Sequence, residues 1–335
     1  NHRWLKLPPA LGVTACSVGV TALFLVFGKG FNHSLLDLVE PEIKKFDFHG
    51  FLLHGILAFM LFAGATKVNI INLKRHTGPI ISLATFGVLF SAFFTAIVLW
   101  GAAYLMHFDL PFIWAFLFGA LIAPTDPIAA LGIVKAINAP KHLETKIVGE
   151  SLFNDGTGVV LFLTLLSIIQ GQDQTFVSVS TMLLRELIGA VFLGLLLGGW
   201  LYIVLKTIDD YPAVTLSTLA VAAGSYALAE AIDVSAPICT VVCGLFIGNK
   251  MRGKLSEVTT EHLDVFWDFV DEMLNACLFA LMGLELIILD LNWSFIALGF
   301  IAFFSTLLGR FMGVALPLLP FRRKILKGTI PVLTW

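Results

Sequence analysis

Residues 147–170 read IVGESLFNDGTGVVLFLTLLSIIQ, an apolar stretch that carries two carboxylates in its first half. A helix needs about 20 mainly apolar residues to cross the hydrocarbon core of a bilayer, so the length predicts a transmembrane helix. Ionisable groups at membrane depth are costly and usually mark a functional site. Glu150 and Asp155 therefore indicate a function inside the membrane.

Further apolar segments flank this stretch on both sides. Hydrophobic residues make up 58% of the 335 positions and charged residues 13%, whereas a soluble domain is about half apolar and a quarter charged. The apolar segments, joined by short stretches with Gly, Pro, Asn or Asp, are 10–28, 50–68, 79–104, 112–135, 147–170, 181–206, 213–231, 237–249, 262–289 and 293–319. We expect an all-α polytopic membrane protein with about ten transmembrane helices, in a single domain over residues 1–335.

Lysine and arginine are distributed unequally between the joints. Most of the 21 basic residues fall on the side of the N-terminus, and Lys29, Lys44 and Lys45 fall on the other. Because basic loops stay in the cytoplasm, this asymmetry predicts a cytoplasmic N-terminus and a multi-pass protein of the cell (inner) membrane. The net charge of -2, without a basic stripe, argues against nucleic acid as a partner.

Pro124 and Pro127 enclose Thr125 and Asp126 in the middle of segment 112–135. Proline removes an amide donor and clashes with the preceding turn, so the pair predicts a broken helix. In transporters, broken helices at membrane depth commonly bind ions, because half-helix ends present free carbonyl and amide groups. The alternative is a simple proline kink with Thr125 bonded to the backbone, which Asp126 makes less attractive.

Ser151 and Asp155 are four residues apart and share one helical face. Glu150 and Asn154 form the neighbouring stripe. If the helix starts near Leu143, Asp155 lies about 18 Å along it, close to the bilayer midplane. Carboxylate, hydroxyl and carbonyl oxygens suit alkali cations. Because burial favours the protonated carboxyl and a cation favours the carboxylate, Asp155 can exchange one for the other. The alternative is a structural polar cluster satisfied by its neighbours.

Arg310 lies well inside segment 293–319. An arginine keeps its proton and needs a partner at membrane depth. Glu150 is the expected partner, which would leave Asp155 to the transported ion. The alternative is snorkelling, but more than two helical turns separate Arg310 from the cytoplasmic end of its segment.

Three aspartates share one helical face near the start of segment 262–289, at positions Asp264, Asp268 and Asp271. Two interpretations are open. The face is either the solvated beginning of a helix or an acidic funnel that concentrates cations at the inner mouth of a transport path.

Taken together, these motifs resemble the sodium/proton exchanger family of the NhaP and NHE type, among the monovalent cation/proton antiporters. The resemblance rests on the break at 125–127, on GESLFNDG at 149–156, on LMGLEL at 281–286 and on LGR at 308–310. It implies the antiporter fold, in which a core bundle moves against a scaffold that often dimerises, so we expect a homodimer. It also implies an internal fragment that lacks the family's first and last helices.

The resemblance implies roles for the residues at the break and on the carboxylate helix. Asp155 binds Na⁺ and H⁺ in turn, and Ser151 and Thr125 complete the sodium site. Asp126 balances the ends of the broken half-helices.

The remaining implied roles concern charge. Glu150 and Arg310 form a supporting ion pair. Asn154 stands where electrogenic relatives have a second aspartate, which favours electroneutral exchange of one cation for one proton. We therefore expect a secondary transporter that exchanges Na⁺ for H⁺ by alternating access.

Three other functions remain open. A K⁺/H⁺ antiporter of the same family would use the same ligands, because ligand type does not fix cavity size. An organic-anion transporter would hold a carboxylate at the half-helix end near Pro124, but it lacks a cationic pocket. A membrane scaffold or ion sensor without transport is the third. Neither an enzyme activity nor a cofactor is expected, since the glycines at 156 and 158 lack the strand context of a nucleotide loop.

Overall fold

The computed structural model describes residues 12–13, 15–21, 23, 45, 47, 50–75, 77–125, 141–171, 176–206, 208, 210–251, 253–285 and 293–321. All regular structure within these ranges is helical. The prediction of an all-α polytopic membrane protein is confirmed.

The helices follow the apolar segments of the sequence. Along the described residues they are α1 (Leu57–Lys67, after a π-helical stretch at Phe51–Ile56), α2 (Ile70–Arg75), α3 (Thr77–Leu105), α4 (Phe112–Ile122), α5 (Lys141–Ile169), α6 (Phe176–Leu205), α7 (Tyr211–Ala231), α8 (Ala236–Lys250), α9 (Glu257–Glu285) and α10 (Trp293–Leu318, followed by a 3₁₀ turn at Leu319–Phe321).

Five of the described helices are long and apolar enough to cross a membrane. They are Thr77–Leu105, Gly149–Ile169, Leu184–Leu205, Tyr211–Ala231 and Phe295–Phe321. Helices α1, α4 and α8 are shorter apolar helices. The predicted segment 10–28 is helical at the few positions that are described, and the second half of segment 112–135 lies outside the described residues.

Helix α9 starts at Glu257, five residues before its apolar segment. Ser256 accepts a hydrogen bond from the backbone amide of Thr259 at 3.2 Å, which satisfies one of the free amides of the first turn. The cap therefore extends α9 by a polar first turn, which a search for hydrophobic periodicity in the sequence does not detect.

The described chain forms two compact units, and the first comprises Asn1–Lys67, Gly194–Glu230 and Thr240–Asp290. Trp267 of α9 is buried in it, with its ring 4.8 Å from that of Phe62. The Trp267 indole donates a 3.2 Å hydrogen bond to the Thr218 hydroxyl. Helix α8 approaches α1 closely, because a Cβ atom on Gly248 would lie 2.1 Å from the carbonyl oxygen of Thr66.

The second unit comprises Val68–Leu193, Ala231–Cys239 and Leu291–Trp335. Within it α10 packs on α3 through small residues, since a Cβ on Gly309 would lie 2.1 Å from the Thr95 hydroxyl. Half of the residues in the most apolar stretch of α3 are buried, whereas only 11% of the residues in the most apolar stretch of α10 are buried. This unit holds the polar residues selected from the sequence on α5 and α10. The single domain over residues 1–335 stays a prediction.

Candidate ion-binding site

A buried ion pair joins α5 to α10. The two Nη atoms of Arg310 donate hydrogen bonds to the two carboxylate oxygens of Glu150, at 2.5 and 2.9 Å. The Glu150 side chain is 1% exposed and that of Arg310 16%. A two-point arginine–carboxylate contact is among the stronger charge-assisted hydrogen bonds in proteins. The structure therefore places two opposite charges together inside a unit made mainly of apolar helices.

Asn154 extends this pair by one helical turn. Its amide nitrogen donates to Glu150 Oε1 at 3.3 Å and to the hydroxyl oxygen of Thr125 at 3.0 Å. Asn154 is fully buried, and its Oδ1 atom makes no hydrogen bond with the described residues. A buried acceptor without a donor is unfavourable, so this oxygen is available to a cation or to water.

Helix α4 ends beside Asn154. Its last residue is Ile122, and Ala123 and Pro124 follow as a bend. Because proline has no N–H, the carbonyl of Ala120 loses the donor that a continuous helix would supply. Thr125 is partly buried and is held by Asn154. The predicted break thus coincides with a helix end in the described chain, and residues 126–130 lie outside it.

Ser151 and Asp155 lie on the adjoining face of α5. Ser151 is 2% exposed and Asp155 is partly buried. Their spacing by one turn places both on the face next to Glu150 and Asn154. Hydroxyl, amide and carboxylate oxygens thus meet on one side of α5.

Asp126, the remaining residue assigned to the site from sequence, lies outside the described residues. Among the residues that the structure does describe, no group of three or more His, Cys, Asp or Glu side chains could hold a metal ion.

The acidic face of α9 lies in the first unit, where a lysine occupies part of it. Lys67 Nζ is 2.7 Å from Asp268 and 3.0 Å from Asp271. Asp264 and Asp268 line a cavity of about 360 Å³ together with Glu257. The acidic funnel stays a prediction, and Lys67 neutralises part of its charge at Asp268 and Asp271.

Lys67 and Lys146 are charged groups that the sequence analysis did not single out. Burial lowers the pKa of Lys67, but the hydrogen bond that Lys67 donates to Asp268 and the charge of Asp271 outweigh this and raise the pKa above its usual value. Lys146, one turn before Glu150 on α5, is 3% exposed, and burial lowers its pKa. In the sequence Lys146 follows Glu144 and Thr145 directly before the apolar segment 147–170, so nothing local marks it as buried.

Comparison with known proteins supports one family. Residues 4–329 match the family described as sodium/hydrogen exchanger, transmembrane. The Na(+)/H(+) antiporter NhaP of Pseudomonas aeruginosa is 41% identical over 351 residues, a match that covers 100% of this chain and 81% of that protein. The Na(+)/H(+) antiporter NhaH of Halobacillus aidingensis is 37% identical over 217 residues, which cover 63% of this chain and 54% of the relative.

A solved structure shares the fold. The sodium proton antiporter MjNhaP1 of Methanocaldococcus jannaschii at pH 8 is similar with a TM-score of 0.65 and 20% sequence identity. The match covers 97% of this chain and 84% of that structure.

Proposed function

The chain belongs to the sodium/hydrogen exchanger family, and from this premise we propose that it exchanges Na⁺ for H⁺ across a membrane, with Asp155 as the group that binds the two ions in turn. The family is one of transporters, and the sequence-based assignment to it is confirmed by the match over residues 4–329. The curated relatives are sodium/proton antiporters by name.

The observation that carries the site is the position of Asn154. It holds the end of α4 at Thr125 and also contacts the Glu150–Arg310 pair. Asp155 is the next residue of α5. Three groups therefore lie within one or two helical turns of each other. They are the carbonyl that Pro124 leaves without a donor at the end of α4, the Asn154 amide oxygen without a hydrogen bond, and the Asp155 carboxylate.

The exchange follows from charge. As a carboxylate, Asp155 attracts a cation. Once protonated, it no longer does, so Na⁺ and H⁺ compete for one group. In the proposed site Ser151 and Thr125 supply neutral oxygens. Glu150 is neutralised by Arg310 and adds no net charge.

Asn154 sets the proposed stoichiometry. Its amide stands next to the one carboxylate that changes ligand, so one Na⁺ replaces one H⁺ and no net charge crosses the membrane. We place the protein in the cell (inner) membrane with its basic joints in the cytoplasm. We also propose a homodimer.

The same ligands suit K⁺ on chemical grounds. The sodium exchange of the named relatives favours Na⁺. Competition of K⁺ against Na⁺ in the transport assay separates the two.

The proposed function is tested in everted membrane vesicles that contain the intact protein. Adding Na⁺ to acidified vesicles should make their lumen alkaline in the wild type and not in Asp155→Asn. Each variant must be present at the wild-type level in the membrane and elute from a gel-filtration column as the wild type does. Unchanged exchange in Asp155→Asn would reject the assignment of Asp155.

The pH dependence gives a second test. If H⁺ and Na⁺ compete at Asp155, the apparent Na⁺ affinity rises with pH and then becomes constant. A steep pH threshold that persists at saturating Na⁺ would instead require a separate proton sensor.

A further inference from the structure

The bend that follows α4 lies directly against the backbone of α5 at Gly158. A Cβ atom at Gly158 would lie 2.2 Å from Cγ and 3.0 Å from Cδ of Pro124, and 3.6 Å from the carbonyl oxygen of Ala120. Carbon atoms attract each other best at about 3.5–4.0 Å, and the shorter distances are strongly repulsive. No residue with a Cβ therefore fits at Gly158 with the break where it is.

Gly158 and Asn154 are four residues apart, so they share one face of α5. That face makes two adjacent contacts with the end of α4. Gly158 receives the ring of Pro124, and Asn154 donates its hydrogen bond to Thr125, the next residue. The same face continues into a buried apolar cluster in which Ala120 packs near Leu161.

We infer that Gly158 is a positioning residue for ion exchange: it lets the proline of the helix break seat against α5, and this seating brings Thr125 within hydrogen-bond distance of Asn154. The ring of Pro124 is rigid, so it cannot move out of the way as a flexible side chain would. With a methyl group at residue 158, the break must retreat by more than about 1 Å.

Such a retreat acts on the ion site. The Thr125–Asn154 bond is 3.0 Å long, and a contact more than about 1 Å longer is no longer a hydrogen bond. The Glu150–Arg310 pair is formed by other turns of the helices and does not depend on Pro124. The loss therefore falls on Thr125, one of the proposed sodium ligands, and this step rests on the proposed function.

The transport test compares two glycines of the same helix. In Gly158→Ala we expect the KM for Na⁺ to rise roughly tenfold, the loss expected for one hydrogen bond to an ion, with little change in the maximal rate. Gly156→Ala is the matched control, because a Cβ there would lie 2.8 Å from Cγ1 and 3.0 Å from Cδ1 of Ile238, an open side chain that can turn aside where the proline ring cannot. Its KM should stay within about twofold of the wild type.

A second comparison shows whether the effect passes through Thr125. Thr125→Val removes the hydroxyl and keeps the shape. In that background Gly158→Ala should raise KM by less than about twofold, because the bond is already lost. Equal changes in Gly156→Ala and Gly158→Ala, or a full second increase in the double variant, would overturn the inference.

A stability cycle tests the contact without any transport. Pro124→Ala removes Cγ and Cδ, the two crowded ring atoms. The melting temperature of the purified protein should fall on Gly158→Ala in the wild type and much less in the Pro124→Ala background. Additive changes would refute the contact. If the cycle is non-additive but neither the wild type nor any variant exchanges Na⁺, the proposed function fails and the contact between Pro124 and Gly158 stands.

Discussion

Arg310 and Glu150 meet through two hydrogen bonds of 2.5 and 2.9 Å between α10 and α5. The pair balances its own charge inside the second unit. Its members are 160 positions apart in the chain, so it also ties two distant helices together.

Removing one partner should destabilise the protein strongly. Arg310→Met leaves the Glu150 carboxylate buried without a counter-charge, which costs about 3–5 kcal/mol. We expect a large fall in melting temperature and little protein in the membrane. The double variant Glu150→Gln with Arg310→Met removes both charges and should recover much of the stability. If the double variant is no more stable than Arg310→Met, the pair is not the cause.

Asn154→Asp tests what the amide does. By its position next to Asp155, a carboxylate at residue 154 would be expected to act as a second ion ligand. In this structure the amide nitrogen donates to both Glu150 and Thr125, and a carboxylate can donate to neither. The new charge would also stand 3.3 Å or so from a Glu150 oxygen. We expect at least tenfold slower exchange at neutral pH and no sensitivity to a potassium diffusion potential. Fast, voltage-dependent exchange would contradict this.

Lys67→Met should lower the stability of the first unit by about 0.5–1 kcal/mol, because Lys67 is partly exposed and solvent weakens its ion pairs. Lys67→Arg keeps the charge and should retain most of the stability. Because the folded pKa of Lys67 is raised, its contribution is complete below the ordinary lysine pKa and is lost as the pH rises through the raised value. The free energies of unfolding of the wild type and Lys67→Met, measured by denaturation at pH 7 and above about pH 10.4, show this loss. The gap between wild type and Lys67→Met should close only in the alkaline range.

Lys146→Met should raise the stability, whereas Lys67→Met should lower it. Burial lowers the folded pKa of Lys146, so the charged form costs stability at neutral pH. We expect Lys146→Met to melt about 1–3 °C higher. As the pH rises from the lowered folded pKa to the ordinary lysine pKa, the wild-type lysine loses its charge and with it the cost of burial. The difference in melting temperature between Lys146→Met and the wild type then disappears. Lys74→Met is a control on an exposed lysine and should be neutral. A destabilised Lys146→Met at pH 7 would show that the lysine has a stabilising partner.

The apolar segments predict the helices well because the bilayer requires long apolar stretches. The start of one helix differs from the prediction. Helix α9 starts early because Ser256 caps it, and a cap is a local hydrogen bond that a hydropathy window averages away. The end of helix α4 at Ile122, in contrast, agrees with the predicted break, because two prolines mark it in the sequence.

The candidate site could be predicted in its residue types and only partly in its contacts. An arginine at membrane depth requires a carboxylate partner, and few carboxylates lie at that depth, so Glu150 could be selected as the partner of Arg310. Lys67 shows the limit, because its aspartates are about 200 positions away and nothing local relates them. Gly158 shows another. A glycine in an apolar helix looks like a packing residue until the ring that lies on it is known.

Helix α10 carries Arg310, and few residues of its most apolar stretch are fully buried. Its apolar span of 27 residues is about 40 Å long, whereas the hydrocarbon core is about 30 Å thick. A helix with such hydrophobic mismatch tilts, extends into the headgroups or thickens the bilayer locally, and its tilt is set by the helices against which it packs. The Glu150–Arg310 pair and the packing of α10 on α3 are therefore among the contacts that hold this long helix at its tilt in the bilayer.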